Sequence, residues 1–165
     1  MSNWFIVVDT ETTGLKANRH EITQIAAVPI NPYNLEIEKD NLFCSTMKPL
    51  KPENADAKAL EISRFTLEEL SKAPEPKVVW NNFVNFVNKY NIKKNIWSAP
   101  KIVGHNIRFD LSFLDEYCKN YGPWDEERNQ STLFSISPLD TMDLIFYWCY
   151  FTKQVKDLKL DSFRE

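Results

Sequence analysis

No run of apolar residues in this 165-residue chain approaches the length of a bilayer span, which argues against a membrane helix. A secretory leader is not evident either, because Asp9 and Glu11 interrupt the first apolar stretch too early. Cysteine is scarce. Cys44, Cys118 and Cys149 are odd in number, widely spaced and without a C-x-x-C, so they read as free thiols, mostly core filler, in a reducing compartment. A cytoplasmic protein is expected. Histidine is scarcer still, with only His20 and His105. An excess of one charge is also lacking: the formal net charge of -3 gives no global attraction to nucleic acid, although a local groove or bound metals would supply positive charge. No repeat and no long linker divides the chain, and its length suits one domain.

What the chain has is apolar material, 43% of residues with 13% aromatic, enough for a substantial core. Residues 4–9 read as a first strand. Residues 21–30 read as a central strand with Pro29 at its end or at an edge. Residues 35–47 read as an outer strand that completes a meander. Pro49 and Pro52 precede a short helical piece around residues 54–61. Thr66 and Glu69 have capping-box spacing, and residues 72–77 form a loop. Val79, Phe83, Val87 and Tyr90 recur on one helical face, away from Asn81, Asn82, Asn85 and Asn88. A short strand at residues 101–105 leads into a helix carrying Phe113, Leu114, Tyr117, Cys118 and Tyr121. Residues 122–132 are polar and read as an exposed loop. A further helix, rich in Leu144, Ile145, Trp148 and Phe151, starts at Asp140 or Thr141, and residues 158–165 look like the opening of another. Strands first, then strand and helix alternating, indicate an α/β layer fold on a mixed sheet.

Asp9 and Glu11 stand where the first apolar run meets a small-residue turn, for which Gly14 is expected to supply backbone freedom. Residues two apart in a strand point the same way, so both carboxylates reach one side. They either share a cation, a hard divalent ion being the simplest, or cap the following turn. A second cluster, Gly104-His105-Asn106-Ile107-Arg108-Phe109-Asp110, lies at another strand-to-helix junction. Asp110 falls in the first helical turn, where the dipole alone would favour it. If the two strands are neighbours, three carboxylates meet in one crevice. Such a set repels itself when empty, which raises at least one pKa and couples the titrations.

These motifs resemble those of the DEDD, or DnaQ-like, 3′–5′ exonucleases, the proofreading-exonuclease superfamily with a ribonuclease-H-like fold. The family's D-x-E-T-T-G-L/M is matched by Asp9-Thr10-Glu11-Thr12-Thr13-Gly14-Leu15, and its H-N-x-x-F-D by His105-Asn106-Ile107-Arg108-Phe109-Asp110. Residues 59–70 are similar to its A-x-x-I-H-G-I-T-x-E-x-L segment, with Ser63 and Arg64 in place of His-Gly and Phe65 in place of Ile. Leu139-Asp140-Thr141-Met142-Asp143-Leu144 and Leu158-Lys159-Leu160 resemble its helix-start D-T-x-x-L and the following L-x-L. The family's third motif, H-x-x-x-D or Y-x-x-x-D, supplies a general base and a fourth carboxylate. It has no counterpart up to Glu165: the residues four before Asp157 and Asp161 are Lys153 and Asp157.

The resemblance implies a mixed five-stranded sheet flanked by helices. It implies a single exonuclease-like domain over residues 1–165 that lacks the family's C-terminal helix and third motif. It further implies phosphodiester hydrolysis at single-stranded 3′ ends with two metals, Mg2+ or substituting Mn2+. Asp9 would bridge both ions, Glu11 would hold the one that generates the nucleophile, and Asp110 the one that stabilises the leaving oxygen. The backbone of Thr12, Thr13, Gly14 and Leu15 would meet the terminal sugar, with Leu15 wedged between the last two bases and Phe65 against the terminal base. Asn106 would reach phosphate or sugar, and His105 and Phe109 would border the site. Core packing stays open for Leu15, Phe65 and Phe109, and a helix cap for Asn106. Arg108, Lys16 and Lys101 would add local phosphate attraction. With no basic stripe, weak binding to a short single strand is expected, DNA before RNA. A polymerase or other replication partner is also implied. Lacking a general base, the chain is expected to be severely impaired as an exonuclease. A nucleic-acid- or partner-binding module and an RNA-trimming enzyme remain the alternatives.

Overall fold

Strand β1 (Phe5–Thr12) carries the acidic pair within its length, where the sequence places it at the strand's exit. In this computed structural model, which describes residues 3–154, Ile6, Val8, Thr10 and Thr12 of β1 are buried. Phe5, Val7 and Glu11 on its other face are half-buried and Asp9 is exposed. Strand β2 (Ile22–Ile30) pairs antiparallel with β1 and sets Asp9 opposite Ala26 and Glu11 opposite Gln24. The same alternation continues there: Ile25 and Ala27 are buried, while Gln24, Ala26 and Val28 are partly open. One face of the sheet is therefore packed, and the other bears the carboxylates.

Strand β3 (Phe43–Thr46) is shorter than the outer strand expected at residues 35–47 and pairs only with residues 24–27. The preceding stretch turns instead. Side chains of Asn31 and Asn34 accept the amides of Tyr33 and Glu36, local bonds that compete with a sheet ladder. Only Ile37 bridges back, to Ile30. Pro29 lies inside β2, past the residues paired with β3, so its missing N–H interrupts no β2–β3 bond.

A 3-10 turn (Pro52–Asn54), α1 (Ala57–Ser63) and α2 (Leu67–Ser71) lead to α3 (Pro76–Asn88). The expected capping box opens α2: the Thr66 hydroxyl accepts the Glu69 amide at 3.2 Å and the Glu69 carboxylate accepts the Thr66 amide at 2.9 Å. Helix α1 stops at Arg64, whose φ of 60° is left-handed, a conformation that disfavours a side chain. Glycine stands there in the related family segment, and Arg64 takes its place here. Helix α3 buries Val79, Trp80, Phe83, Phe86 and Val87 on one face and exposes its asparagines, as its periodicity predicts.

Strand β4 (Lys101–Gly104) pairs parallel with β1, and α4 (Ile107–Tyr121) returns against α3, burying Phe113, Leu114, Tyr117 and Cys118. The Trp80 indole donates to the Gly122 carbonyl at 2.6 Å and ties α3 to the end of α4. Residues 122–132 are not a plain loop. Strands β5 (Trp124–Asp125) and β6 (Gln130–Ser131) form a small hairpin, with Lys119 over the Trp124 ring and the Ser131 hydroxyl 3.0 Å from the Cys118 thiol. Two-residue strands carry too little alternation to be read from a polar sequence. Strand β7 (Leu139–Asp140) pairs parallel with β4 and completes a five-stranded sheet in the order β3-β2-β1-β4-β7, before α5 (Thr141–Thr152). This is the mixed α/β sheet with flanking helices that the resemblance implies. No residue of α5 is buried. The helix opening expected at residues 158–165 lies outside the described residues.

The left-handed Arg64 is exposed, and among the described residues its side chain makes no hydrogen bond or ion pair that would compensate its conformation. Replacing it by glycine, R64G, is expected to raise the unfolding free energy by roughly 0.5–1 kcal/mol, the left-handed penalty less the entropy glycine loses on folding. Urea denaturation of the two proteins checks this, and a destabilised R64G would show that Arg64 makes a contact worth more than its strain.

Candidate active site

The pairing of β4 with β1 is brief, joining Lys101 to Phe5, Ile102 to Ile6 and Val103 to Val7. At Gly104 the chain turns away close against β1. A Cβ there would stand 3.1 Å from the Val8 carbonyl oxygen and 2.5 Å from the Ile107 side chain, so only glycine fits without a shift. Asn106 follows with φ 60° at the N-cap position of α4, but its side chain does not cap the helix. Asp140 does so instead. Its Oδ1 accepts the Asn106 amide at 2.9 Å and its Oδ2 the Ile107 amide at 3.1 Å, while Oδ1 also accepts the Met142 amide at 2.9 Å. One carboxylate thus closes the N-termini of both α4 and α5, where both helix dipoles favour it. Beside it, the Thr141 hydroxyl donates to the Gly104 carbonyl at 3.1 Å and lies 3.1 Å from His105 Nδ1.

Asp110 sits one turn into α4 and reaches β1. Its Oδ1 accepts the Thr10 amide at 2.9 Å and the Thr10 hydroxyl at 2.7 Å. Only 4% exposed, the carboxyl is pushed up to about 6 by burial; the Thr10 bonds oppose that rise and the charge of Asp9 adds to it. Burial also raises Asp9, against the pull of the Thr10 amide. Glu11 is raised by burial and then by Asp9. Asp9 therefore acts on both other carboxylates, which share its field.

The three side chains suit a hard divalent cation in chemistry: all donors are carboxylate oxygens, and a cation near Asp9 would relieve mutual repulsion and the cost of burial together. Their positions are looser than their chemistry. Among the described residues, no three His, Cys, Asp or Glu side chains form a group that could hold one ion.

The turn after β1 is braced from within. The Thr12 hydroxyl donates to the Gly14 carbonyl at 2.7 Å. Thr13 donates its amide to the Glu21 carbonyl, accepts the Asp56 amide on its own carbonyl, and accepts the Glu21 amide on its hydroxyl. Gly14 is needed for space and not for backbone freedom, contrary to expectation. The only glycine with positive φ among the described residues is Gly122. A Cβ on Gly14 would lie 2.6 Å from the His20 ring and 2.6 Å from Asp56 Oδ2. His20 is buried beneath the turn; its Nδ1 accepts the Lys16 amide at 3.0 Å, and its Nε2 lies 3.5 Å from Asp56 Oδ2. The braced turn presents Leu15 at 79% exposure, which removes the core-packing reading for that residue.

Asn106 is exposed and His105 and Phe65 are half-buried. Phe109 packs on the core, with its ring centre 5.1 Å from that of Phe113. Arg108 and Lys16 are exposed. Lys101 does not join the site, contrary to expectation: it pairs with Phe5 at the far end of β4, about 13 Å along the strand from Asp9. Motif spacing alone also misses three residues: Thr10 as the partner of Asp110, Asp140 as the cap of α4, and His20 as the brace of the turn. Alternation along β1 signals the first, since it turns Thr10 to the buried face. No sequence signal marks His20 or the reach of Asp140 back to α4.

A family model described as Exonuclease, RNase_T, matches residues 6–164. The chain is 27% identical over 118 residues to the DNA polymerase III PolC-type of Bacillus cereus, covering 72% of this chain and 7% of that protein. It is 29% identical over 115 residues to the DNA polymerase III subunit epsilon of Haemophilus influenzae, covering 67% of this chain and 39% of the relative. The chain thus spans well under half of the length of these relatives. Among solved structures, E. coli Exonuclease I in complex with a dT13 oligonucleotide superposes with a TM-score of 0.74 at 16% identity, over 98% of this chain and 35% of that one. Exonuclease I from Methylocaldum szegediense superposes with a TM-score of 0.72 at 16% identity, over 94% of this chain and 31% of that one.

A carboxyl raised by folding favours the fold while protonated. Asp110 therefore stabilises the metal-free chain fully below its ordinary value of 3.8, and that contribution is lost as pH rises through about 6. Melts in chelator between pH 3.5 and pH 7.5, values chosen to bracket roughly that window, should show the parent losing up to roughly 3 kcal/mol relative to D110N. Parallel pH profiles for the two proteins would overturn the assignment.

Proposed function

The chain belongs to the exonuclease family, within the DEDD, DnaQ-like superfamily, and from that membership we propose that it hydrolyses phosphodiester bonds at the 3′ end of a single-stranded nucleic acid, DNA in preference to RNA. One observation carries the reading. Asp110 is fixed on Thr10, one hundred residues away in sequence, and thereby joins the strand segment that bears Asp9 and Glu11. A capping role explains neither carboxylate of β1, because both lie within a strand. The polymerase III relatives and the oligonucleotide bound to E. coli Exonuclease I support DNA as substrate. The same relatives support a replication partner.

Asp9, Glu11 and Asp110 would hold divalent ions, Mg2+ with Mn2+ able to substitute. Such ions, when bound, supply an activated nucleophile and neutralise charge at the phosphate. The chain's own residues do the rest. Thr10 orients Asp110, and the braced turn of Thr12, Thr13 and Gly14 keeps Leu15 exposed beside the acidic strand, where the terminal bases would meet it. Phe65, His105, Asn106 and Phe109 are the remaining candidates for substrate contact. A general base and a fourth carboxylate are assigned to none of the described residues. The lack among these of a three-ligand group favours a second reading, a module that binds single strands without cutting them.

The discriminating assay incubates 5′-labelled single-stranded DNA and RNA of one sequence with the full chain and Mn2+. Stepwise shortening from the 3′ end is expected, slow because no described residue supplies a general base, faster on DNA and stopped by chelator. D9N should slow it roughly 10²- to 10³-fold, the scale for removing one group that stabilises transition-state charge. Oligonucleotide bound but uncut would decide for the second reading. Mn2+ should also raise the melting temperature of the parent and leave that of D9N nearly unchanged, since only a folded site binds the ion.

A further inference from the structure

We propose that Thr10 is a positioning residue of the site, whose hydroxyl and amide together hold one oxygen of Asp110 so that the other is presented to a cation. The proposal rests on the exonuclease reading above.

Thr10 is the middle residue of the Asp9-Thr10-Glu11 segment, and strand alternation turns its side chain away from both carboxylates. It is 7% exposed, on the packed face of the sheet. A valine would fill that place equally well if burial were the only demand. The hydroxyl instead makes the shorter of the two bonds to Asp110 Oδ1, 2.7 Å against 2.9 Å from the amide, and both are charge-assisted when the carboxyl is ionised.

The amide is available because of the topology. Ladder pairing between β1 and β4 ends at Val7 and Val103, so Thr10 lies past the last residue to which β4 is paired. The carboxylate of Asp110 takes the place of a neighbouring strand's carbonyl. Two donors on one oxygen fix the plane of the carboxylate as well as its position, which a single bond would not. Asp110 is thereby held by β1 itself, the strand that carries Asp9 and Glu11, and the relative placement of the three does not depend on α4 alone.

The test compares the parent with T10V, which keeps the amide and the bulk but lacks the hydroxyl, and with T10S, which restores a hydroxyl. Mn2+ binding to the full chain is measured by titration calorimetry, alongside kcat and KM on a single-stranded DNA oligonucleotide. T10V is expected to bind Mn2+ about 10- to 100-fold more weakly, the usual cost of removing a group that orients a metal ligand. T10S should bind like the parent, and the loss in T10V should fall on kcat and not on KM. Mn2+ affinity equal in parent and T10V overturns the positioning role while leaving the exonuclease reading in place. A parent that neither binds Mn2+ nor shortens the oligonucleotide overturns both. If T10V fails to fold, T10A against T10S carries the same comparison: equal Mn2+ affinities overturn the role, and weaker binding by T10A supports it.

Discussion

The acidic end of this molecule depends on the carboxylate of Asp140 and the three amides it accepts. The start of α4 has no side-chain cap of its own: Asn106 at its N-cap position is left-handed and makes no capping bond. Asp140 comes from the last strand of the sheet and takes the amides of Asn106 and Ile107, then that of Met142 in the next helix. The position of Asp110 follows from this. It lies one turn beyond a helix end that is pinned to the sheet by a side chain from a different strand. With Thr10 gripping Asp110 from β1, the helix is fixed at both ends of its first turn, and the third carboxylate has little freedom left.

The sheet's two faces explain why acidic residues are tolerated in a central strand. The face of Ile6, Val8, Ile25 and Ala27 is sealed by α3 and α4. The face of Phe5, Val7, Asp9 and Glu11 remains partly open, and Asp9 keeps access to water. Full closure over Asp9 and Glu11 would strand two charges without partners, a cost of several kcal/mol for each. The open face is thus a requirement of the charges.

Much of this arrangement is legible in the amino-acid sequence. Two motifs with fixed spacing locate Asp9, Glu11 and Asp110, and simple periodicities locate β1, β2, α3 and α4. The failures have physical causes. Polar two-residue strands at Trp124 and Gln130 carry no periodicity, and side-chain bonds from Asn31 and Asn34 shorten β3 without altering its apolar pattern. Turns usually ask glycine for an unusual φ, and Gly14 invites that expectation. The real demand is lateral space for His20 and Asp56, which arrive from elsewhere in the chain. Lys101 stands near the second motif in sequence, yet a strand carries it to the opposite end. The misses at Gly14 and Lys101 concern partners distant in sequence, which local pattern cannot supply.

The bond between Thr10 and Asp110 spans one hundred residues, and that separation orders events during synthesis. The acidic strand leaves the ribosome first and its partner helix long afterwards, at translation speeds roughly 5–20 s later. Over that interval Asp9 and Glu11 belong to a nascent antiparallel pair, β1 with β2, that can form from local contacts. The parallel pairing with β4 must wait for the intervening helices. Chain order alone therefore keeps Asp110 away from Asp9 and Glu11 until α4 has been made.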